Sequence, residues 1–446
     1  MPARADDPAA EATDLLRDLI RNQCVNDGRI ESGQETRNVD LLGNYLEGAG
    51  LDLERYEPQP GRTSLVARIE GSDPQAPSLL LMGHTDVVPV NPDGWSRDPF
   101  GAEIVDGFVW GRGAVDMLNE TATMALAFRR LADSGFTPRG SLIYLAVADE
   151  EALGTWGAKW LVENERDAVY ADYVLTESGG FQVPSDVGPR LPVAVDEKGT
   201  YWSKLTVHGT PGHASQPFRT DNAVVTAAEV VRRLHEYRPP AQIGDTWRRF
   251  VEGMRYPPEF RDALLKADEL RDFAGTLPVG MSRVIYSSTH TTFAPTVIHG
   301  GTKTNVIPDK VEIQVDIRTL PGETAEDVHR HLRTALGDLY DAIEIEGNDD
   351  GPTISPVDTP LWDSLSRVTG QMVGGSALVP MVYIGGTDNR YFRRAGSVGY
   401  GFALFSQRLT FEDYATMFHG NDERIDQESL ALTTSLWEEV AKDLLT

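Results

Sequence analysis

The sequence predicts an α/β protein, with a mostly parallel sheet that has helices on both faces and is interrupted by a smaller α+β domain. Short apolar runs, typical of strands buried on both faces, alternate with segments that repeat apolar residues at helical spacing. This alternation stops near residue 183 and resumes after residue 351. Between these points the strands alternate apolar and polar residues, as strands exposed on one face do.

The first part of the chain alternates predicted helices and strands. Helices are predicted over 8–22, over 36–48 and from about Asn119 to Gly135. Strands are predicted over 64–69, 79–83, 108–110, 141–148 and 173–175. Because strands joined by helices are usually parallel neighbours, these elements predict the core of the mostly parallel sheet.

The middle of the chain predicts a separate domain of about four strands and two helices. Prolines and glycines between 183 and 200 indicate a linker, and residues 241–280 indicate an irregular, charged insertion. The strands are predicted over 201–208, 283–290, 296–299, 310–318 and 342–346, and the helices over 223–237 and 325–336. Helices at 361–372, 389–394 and 427–445 and a strand at 398–404 then continue the first pattern. We therefore predict one domain from 1–196 and 351–446, interrupted by a second at 197–350.

The composition limits the classes of partner. The 446 residues carry a formal net charge of -27, which argues against nucleic-acid or anionic-membrane binding because both require basic surface. Cys24 is the one cysteine, so no intramolecular disulfide can form, as in a reducing compartment. Residues 1–7 do not resemble a secretory signal, and no apolar run is long enough to predict a membrane span. We expect a cytoplasmic protein that acts on a small molecule.

Polar residues suited to metal binding follow several of the predicted strands and loops. They are His84, Asp86, Asp116, Glu150, Glu151, Glu177 and His419. Each alone is a weak signal, because a lone histidine at a strand end is more often a core or surface residue. Parallel strands bring their carboxyl ends to one edge of a sheet, however, so these side chains are expected to converge. Two histidines with several carboxylates form the ligand set of a two-zinc site with one bridging carboxylate.

Other chemistries have little support in the sequence. The chain lacks the Gly-x-Ser-x-Gly motif of serine hydrolases and the glycine-rich loop of nucleotide phosphate sites. His235 and Glu236 are followed by Pro239 where a zincin needs its second histidine. Cys24 follows a predicted helix without a nearby base, and we expect it in the core.

Three short segments resemble the motifs of the co-catalytic zinc aminoacylase/carboxypeptidase family. They are Gly-His-Thr-Asp at 83–86, Gly-Arg-Gly-Ala-Val-Asp-Met at 111–117 and Glu-Glu at 150–151. This family includes carboxypeptidase G-type enzymes, succinyl-diaminopimelate desuccinylase, acetylornithine deacetylase, aminoacylase and dipeptidases. The resemblance extends from the first motif to His419. It implies a zinc-peptidase catalytic domain interrupted by a four-stranded lid and dimerisation domain.

The resemblance also implies a metal-ligand role for five residues. Asp116 would bridge two Zn²⁺ ions. His84 and Glu177 would complete one zinc site. Glu151 and His419 would complete the other. The same ligands can hold Co²⁺ or Mn²⁺, so the identity of the metal stays open.

Three further residues would serve catalysis by the same resemblance. Glu150 would be the general base, and Asp86 would hold the His84 ring in its tautomer from behind. His213, in the segment 209–215, would reach the active site of a partner subunit and stabilise the oxyanion. The protein is therefore expected to be a homodimer that associates through the lid domain.

Asn305, Arg318 and Gly386 match substrate-contacting positions of the family. Arg318 would bind a substrate carboxylate through two parallel hydrogen bonds. The chain has Leu118 and Asn119 where many members have Lys-Gly, which leaves the shape of the substrate pocket open.

The expected activity is cleavage of an amide or peptide bond next to a free carboxylate, in short peptides or N-acyl amino acids. One alternative is a biosynthetic desuccinylase or deacetylase of an N-acylated amino acid. Another is a metal-binding scaffold without catalysis, which the full set of expected catalytic residues disfavours.

Overall fold

The computed structural model describes residues 7–446. The expectation that the N-terminal stretch is not a secretory signal concerns residues 1–7, of which residues 1–6 lie outside the described part. The helices are α1 (Pro8–Arg21), α2 (Thr36–Leu46), α3 (Leu118–Asp133), α4 (Ala158–Asn164), α5 (Arg166–Val169), α6 (Ala223–Glu236), α7 (Asp245–Gly253), α8 (Pro258–Leu264), α9 (Ala267–Ala274), α10 (Val279–Thr289), α11 (Ala325–Leu336), α12 (Pro360–Met372), α13 (Asn389–Ala395), α14 (Phe411–Met417) and α15 (Gln427–Leu445). The strands are β1 (Asp52–Gln59), β2 (Arg62–Ile69), β3 (Leu79–His84), β4 (Glu103–Val105), β5 (Phe108–Trp110), β6 (Leu142–Val147), β7 (Tyr173–Thr176), β8 (Arg190–Glu197), β9 (Gly199–His208), β10 (Gly212–His213), β11 (Thr292–Gly300), β12 (Val306–Ile307), β13 (Lys310–Thr319), β14 (Ile343–Asp350), β15 (Thr353–Ile354), β16 (Ala377–Tyr383), β17 (Val398–Gly401) and β18 (Arg424–Asp426). Short 3₁₀ turns cover Pro92–Gly94, Glu150–Ala152 and Gly337–Ala342.

The central sheet has the strand order β1-β2-β6-β3-β7-β17-β8-β15, with β16 paired to β8. The neighbours β6, β3, β7 and β17 are parallel, and β16 runs parallel to β8, whereas β1, β2 and β15 pair in antiparallel fashion. The predicted α/β class with a largely parallel central sheet is confirmed.

Both faces of this sheet are covered by helices, because its strands are apolar on both sides. On β3, Leu79 and Leu81 join the larger core with α1, α3, α12 and α15, whereas Leu80 and Met82 pack toward α4 and α13 on the opposite face. β3 lies between β6 and β7 in the sheet, so all six of its residues are buried.

A second sheet, which we call the lid sheet, has the antiparallel order β11-β13-β9-β14. The helices α6 and α11 cover one of its faces and form a separate core with it. Val207 and Ile313 are examples of the inward-facing residues, and Val230 and Leu332 are the helical residues that they meet in this core. The lid sheet therefore has four strands and is covered by two helices, as the sequence predicts.

The insertion at 241–280 is helical, so its interpretation as an irregular segment is wrong. It forms α7, α8, α9 and the start of α10, around a small core that includes Trp247, Leu264 and Leu270. The predicted strand at 283–290 is also wrong, because it falls largely within α10. α7 packs against β16 of the central sheet, which ties the insertion to that sheet.

The predicted linker over 183–200 contains β8, a fully buried strand of the central sheet. Pro192 suggested a break, because proline removes a hydrogen-bond donor from a sheet. β8 tolerates a proline at this position because a loop, and not a paired strand, lies beside Pro192. On this side β17 pairs with β8 only at Ala194. In that loop the Gly180 N–H donates to the Pro192 carbonyl.

The chain passes between the two sheets at Lys198 and again between β14 and β15. The domain bounds 1–196, 197–350 and 351–446 stay a prediction. No helix within residues 7–446 combines the length and apolar character that a membrane crossing requires.

Candidate active site

Four of the predicted site residues lie where neighbouring parallel strands end. His84 is the last residue of β3, and Glu177 directly follows β7. Glu150 and Glu151 begin the short turn that comes after β6. Because β6, β3 and β7 are adjacent in the sheet, these side chains converge at one edge, as the sequence predicts.

Two further residues reach the same edge from loops. Asp116 precedes α3, and His419 follows α14 near the end of the chain. Two groups result, and within each group the potential ligand atoms all lie within 4.8 Å of one another. The first group is His84, Asp116 and Glu177, and the second is Asp116, Glu151 and His419. Asp116 is shared, so the geometry matches the two predicted ligand sets.

The Asp116 carboxylate contacts both imidazoles. His84 Nε2 lies 3.2 Å from Asp116 Oδ1, and His419 Nε2 lies 3.1 Å from Asp116 Oδ2. His419 Nε2 is also 3.3 Å from Glu151 Oε2. His84 and Asp116 are buried, whereas the His419 side chain is 47% exposed. Solvent therefore reaches the cluster from the side of His419.

The electrostatics of the cluster favour bound cations. Burial opposes the charged form, but hydrogen bonds that the His419 imidazolium donates to the Asp116 and Glu151 carboxylates raise the pKa of His419 to about 10. Burial and the neighbouring carboxylates raise the pKa of Glu177 well above its usual value. Glu151 Oε1 is buried without a hydrogen-bond partner among the described residues. Mixed imidazole and carboxylate donors of this kind fit divalent metal ions such as Zn²⁺.

Asp86 lies beside His84. The carboxylate is 3.6 Å from His84 Nδ1, while the main-chain carbonyl of Asp86 lies 2.9 Å from that nitrogen. The chain turns so that the main-chain carbonyl is nearer to the imidazole than the carboxylate is, and the orienting role of the Asp86 carboxylate stays a prediction. This carbonyl can fix the ring tautomer, which leaves Nε2 facing Asp116.

The Asp86 carboxylate instead supports the turn that carries Glu150. Its Oδ1 accepts the Glu150 N–H at 3.2 Å, and its Oδ2 accepts the Glu151 N–H at 3.1 Å. The Asn26 side-chain amide also donates to Oδ2 at 2.8 Å and contacts Asp149 at 3.2 Å. The carboxylate thus holds the main chain on which two predicted site residues lie.

A buried ion pair continues this network beneath the site. Arg62 Nη1 lies 2.6 Å from Glu35 Oε1 and 3.4 Å from Asp149 Oδ1. Arg62 also donates to the side-chain oxygen of Asn26 at 3.1 Å. Burial, reinforced by the Asp86 charge, raises the pKa of Glu35 to about 8. These residues connect Asp86 to the protein interior.

Glu150 is partly buried and has several charged neighbours. Burial raises the pKa of its carboxyl well above the usual value, and the charges of Asp388 and Glu151 raise it further. The guanidinium of Arg390 opposes these effects, and Arg390 is itself held by an ion pair with Asp350 at 2.7 Å. A carboxylate with a raised pKa is suited to accept and release a proton near neutral pH.

Sequence reasoning missed Glu423 and the role of Arg112. Glu423 is fully buried, and its Oε1 accepts the main-chain N–H groups of Val115 and Asp116 at 2.7 and 3.1 Å. Arg112 Nη1 donates to its Oε2 at 2.8 Å. Glu423 thereby positions the loop that carries Asp116. No local pattern in the sequence points to it, because its partners lie about 300 residues away.

His213 and Asn305 lie together at the small two-stranded sheet formed by β10 and β12. His213 pairs with Val306, and the Asn305 carbonyl accepts the N–H of Ala214 at 3.1 Å. His213 Nδ1 lies 2.7 Å from Ser215 Oγ. Both His213 and Asn305 are exposed. Within residues 7–446, no hydrogen bond or ion pair connects this two-stranded sheet to the metal-ligand cluster.

Arg318 and Gly386 lie close to a common neighbour, Thr200. Arg318 donates to Thr200 Oγ1 at 2.9 Å and forms an ion pair with Asp316 at 2.7 Å. A Cβ atom at Gly386 would lie 3.8 Å from the same Thr200 oxygen. Arg318 is partly buried, and it lies next to Thr319, the last residue of β13. The structure therefore brings these two predicted substrate contacts to one place.

The two departures from the family motif are both buried at the start of α3. Leu118 packs in the main core, and the side-chain oxygen of Asn119 is buried without a hydrogen-bond partner among the described residues. Neither belongs to a metal-ligand group. Next to them, Glu120 is 1% exposed, and burial together with the charge of Asp116 raises its pKa well above the usual value.

The sequence and the structure can be compared with known proteins. The chain is 28% identical to the N-fatty-acyl-amino acid synthase/hydrolase PM20D1 of Xenopus tropicalis, over 97% of this chain and 86% of that protein. It is also 28% identical to human aminoacylase-1, over 85% of this chain and 82% of that protein. The structure is similar to that of the M20 family metallo-carboxypeptidase Sso-CP2 from Sulfolobus solfataricus, with a TM-score of 0.73, 17% identity and 99% coverage of both chains.

The family model for peptidase family M20/M25/M40 matches residues 80–443, which is most of the chain. This match includes every residue of the two ligand groups and confirms the resemblance seen in the motifs. The chain therefore belongs to peptidase family M20/M25/M40 and is a metal-dependent hydrolase of that family.

Proposed function

We propose that the protein is a two-zinc amidohydrolase that cleaves the amide or peptide bond next to a free carboxylate in N-acyl amino acids or short peptides. The observation that carries this proposal is the pair of ligand groups that share Asp116 and lie beside Glu150. Zn²⁺ is the proposed metal because imidazole and carboxylate donors suit it, with Co²⁺ or Mn²⁺ as substitutes.

We assign the ligands as two sets with one shared residue. Asp116 would belong to both sets, His84 and Glu177 would hold one ion with it, and Glu151 and His419 would hold the other. When bound, the metal ions would supply Lewis-acid polarisation of the attacking water and of the scissile carbonyl. Glu423 supports the assignment of Asp116, because it holds the main chain of that residue through hydrogen bonds.

Glu150 is the proposed general base. It accepts a proton from water as the water oxygen attacks the carbonyl carbon, and it then donates that proton to the leaving nitrogen as the C–N bond breaks. Its raised pKa suits both steps. Asp86 assists indirectly, because its carboxylate holds the Glu150 main chain.

Arg318 is the proposed partner of the substrate carboxylate, with Asn305 and Gly386 nearby in the bound state. Its guanidinium is half-buried and already oriented by Asp316 and Thr200. A planar guanidinium can bind a carboxylate through two parallel hydrogen bonds. The relatives named for N-acyl amino acids support N-acyl amino acids as the first substrates to test.

The lid sheet is the proposed dimer interface, and His213 is proposed to act on the site of the partner subunit. β11 is an edge strand, and α6 packs beside it. Val224, Val225 and Ile298 on these elements are exposed. Apolar side chains next to an open strand edge favour pairing with a second copy. A cytoplasmic location is also proposed, supported by the free, buried Cys24.

Replacement of Glu150 by Gln tests the proposed function. Gln keeps the size of the side chain but cannot accept the proton, so we expect kcat to fall by about 10²- to 10⁴-fold. Zinc content and KM should change little, because Glu150 belongs to neither ligand group. The assay should use N-acetyl and N-fatty-acyl amino acids, dipeptides and N-succinyl amino acids, with metal content measured in parallel.

The exposed Glu163→Gln variant on α4 is the matched control and should retain wild-type activity. Zinc-loaded wild-type protein that cleaves none of these amides would support the scaffold alternative. Cleavage confined to N-succinyl or N-acetyl biosynthetic intermediates would support the desuccinylase or deacetylase alternative.

A further inference from the structure

The turn that carries Glu150 has an uncommon backbone conformation at both of its ends. Asp149, before the turn, has a φ of 70°, and Leu153, after it, has a φ of 72°. Both angles lie in the left-handed region, which residues other than glycine rarely adopt. Such a conformation persists only where the surrounding structure holds it. The contacts at the two ends of this turn therefore determine where Glu150 lies.

The two ends of the turn are held by different side chains. At the first end, the Asp86 carboxylate accepts two main-chain N–H groups. At the second end, the Tyr391 hydroxyl donates a hydrogen bond to the Leu153 carbonyl at 2.5 Å. Asp388, at the start of α13, lies against this second end, because a Cβ atom at Gly154 would be 2.3 Å from its Oδ1. The start of α13 therefore closes the turn from the side opposite to Asp86.

The ring of Tyr391 is itself fixed by its neighbours. It packs against the core between the central sheet, α4 and α13. The Arg390 guanidinium lies 4.6 Å from the ring centroid and donates to the hydroxyl at 3.3 Å. The Arg394 guanidinium lies 5.9 Å from the same centroid. Because guanidinium groups are attracted to aromatic rings, these contacts keep the hydroxyl directed at Leu153.

Both guanidinium groups are paired with one carboxylate of the lid sheet. Asp350 is the last residue of β14, an edge strand of that sheet. Its Oδ2 lies 2.7 Å from Arg390 Nε, and its Oδ1 lies 2.5 Å from Arg394 Nη1. The Arg390 side chain is 6% exposed and that of Asp350 is 16% exposed, so solvent screens this pair only weakly. A continuous path of contacts thus runs from the lid sheet through α13 to the turn.

We propose that Tyr391 is a positioning residue for Glu150 and that Asp350 fixes Tyr391 from the lid sheet. This inference rests on the proposed role of Glu150 as general base. Asp86 holds the turn by its N–H groups and Tyr391 holds it by a carbonyl, so loss of either contact lets the Glu150 carboxylate shift from the reacting atoms.

Tyr391→Phe tests the proposal, because it removes the hydroxyl and keeps the packed ring. We expect kcat to fall by about 10- to 100-fold, since small displacements of a catalytic group have effects of that size. KM and zinc content should change little, because Tyr391 belongs to neither ligand group and to none of the proposed substrate contacts. Asp350→Asn should lower kcat less, because it acts on the turn only through α13.

Hydrogen–deuterium exchange of the full-length protein without substrate gives a measurement that does not depend on activity. The N–H groups of Leu153 and Gly154 donate to main-chain carbonyls within the turn at 2.9 and 2.7 Å, so they exchange only when the turn opens. Exchange over 149–159 should be about tenfold faster in Tyr391→Phe and should rise less in Asp350→Asn, with α1 unchanged in both. Asp350→Asn should add little to Tyr391→Phe, because the two residues act along one path.

Two matched variants serve as controls. Tyr56 packs against the same core as Tyr391, but its hydroxyl contacts Glu54, so Tyr56→Phe should keep wild-type kcat and exchange. Asp338 is also a lid acid paired with an arginine, Arg233, but it is 80% exposed, and Asp338→Asn should likewise match wild type. Thermal unfolding shows whether each variant folds, and Asp350→Asn carries the test if Tyr391→Phe does not.

Three results would overturn the proposal. Unchanged exchange over 149–159 in folded Tyr391→Phe would mean that the hydroxyl does not hold the turn. A uniform rise in exchange that includes α1 would mean a general loss of stability. Wild-type kcat despite faster exchange in the turn would mean that the reaction does not need this contact. Wild-type protein that is inactive on every amide but shows the expected exchange pattern would reject the proposed function and still support the hold of Tyr391 on the turn.

Discussion

At the scale of single residues, Asp86 has a role that depends on which of its atoms faces His84. The main-chain carbonyl meets the imidazole, and this frees both carboxylate oxygens for the N–H groups of Glu150 and Glu151. One residue therefore orients a proposed metal ligand and supports the turn of the proposed general base. Asn26 fixes the carboxylate from the other side.

Asp86→Ala should lower kcat by about 10²-fold, because a small displacement of a general base has effects of that size. The carbonyl contact to His84 is made by the main chain and survives the substitution, so both metal ions should largely remain bound. Activity and metal content are measured on the same preparation. Asp73→Ala is the control. The Asp73 carboxylate also accepts a main-chain N–H, but in an exposed turn, so its loss should leave activity unchanged. Wild-type kcat, or loss of both metals, in Asp86→Ala would contradict this role.

The sequence predicted which residues converge better than it predicted how they touch. His84, Glu151 and Glu177 could be anticipated, because each lies at or just after a buried strand and parallel strands bring their ends together. The contacts of Asp86 and the buried Glu423 could not. They depend on main-chain direction and on hydrogen bonds between distant parts of the chain, which leave no local pattern.

At the scale of elements, the errors lie where packing overrides local preference. The 283–290 segment is rich in β-branched and aromatic residues and was predicted as a strand, yet it lies in α10 because Ile285 packs among the inserted helices. β8 was read as a linker because of Pro192 and the prolines and glycines before it, although Leu191 and the run Val193 to Val195 are apolar and buried. Short helices with prolines at their starts, such as α8, gave too little periodicity to be detected.

Lys198 connects the two sheets and is tied to the inserted helices. It lies between β8 and β9, and its Nζ donates to the carbonyls of Ser287 and His290, at 3.0 and 2.8 Å, beside the end of α10. Burial lowers the pKa of Lys198 from 10.5 to about 7. Charged Lys198 thus satisfies carbonyls at the end of a helix, but its burial opposes the charge.

Lys198→Met should change how stability depends on pH. Between about pH 7 and pH 10 the unfolded chain holds a proton on Lys198 that the folded chain lacks, so this residue makes stability rise with pH by at most about 1.4 kcal/mol per pH unit. The Met variant lacks this contribution. Its free energy of unfolding, compared with that of wild type, should therefore be highest near pH 7 and should fall toward pH 10. Denaturant unfolding at several pH values measures the difference.

The exposed Lys266→Met variant controls for the loss of one positive charge. A difference in the free energy of unfolding between Lys198→Met and wild type that stays constant from pH 7 to pH 10 would show that Lys198 remains charged in the folded protein.

At the scale of the whole molecule, the sequence predicted the interruption of one α/β pattern by a second sheet. It did so because the change from buried to half-exposed strands is visible in composition alone. It could not predict that the inserted helices turn back onto β16, because contacts between distant segments are not encoded in local periodicity. The lid sheet is therefore connected to the central sheet by two chain crossings and by α7.

The exposed position of His213 gives the dimer proposal a consequence for the whole molecule. In one protomer, the two-stranded sheet that carries His213 has no hydrogen bond or ion pair to the ligand cluster within residues 7–446. If the histidine serves a catalytic site, a second subunit or a movement of the lid must bring them together. These two possibilities make opposite predictions for mixed dimers.

Heterodimers of Glu150→Gln and His213→Ala chains, purified through two different tags, separate the two. If His213 acts across subunits, one of the two sites combines an intact Glu150 with an intact His213, so the heterodimer should show about half of wild-type activity. Each parent homodimer should be nearly inactive. If His213 serves its own subunit, both sites of the heterodimer are defective and it should be as inactive as its parents. Light scattering confirms the dimer, and a fully active wild-type monomer would reject action across subunits altogether.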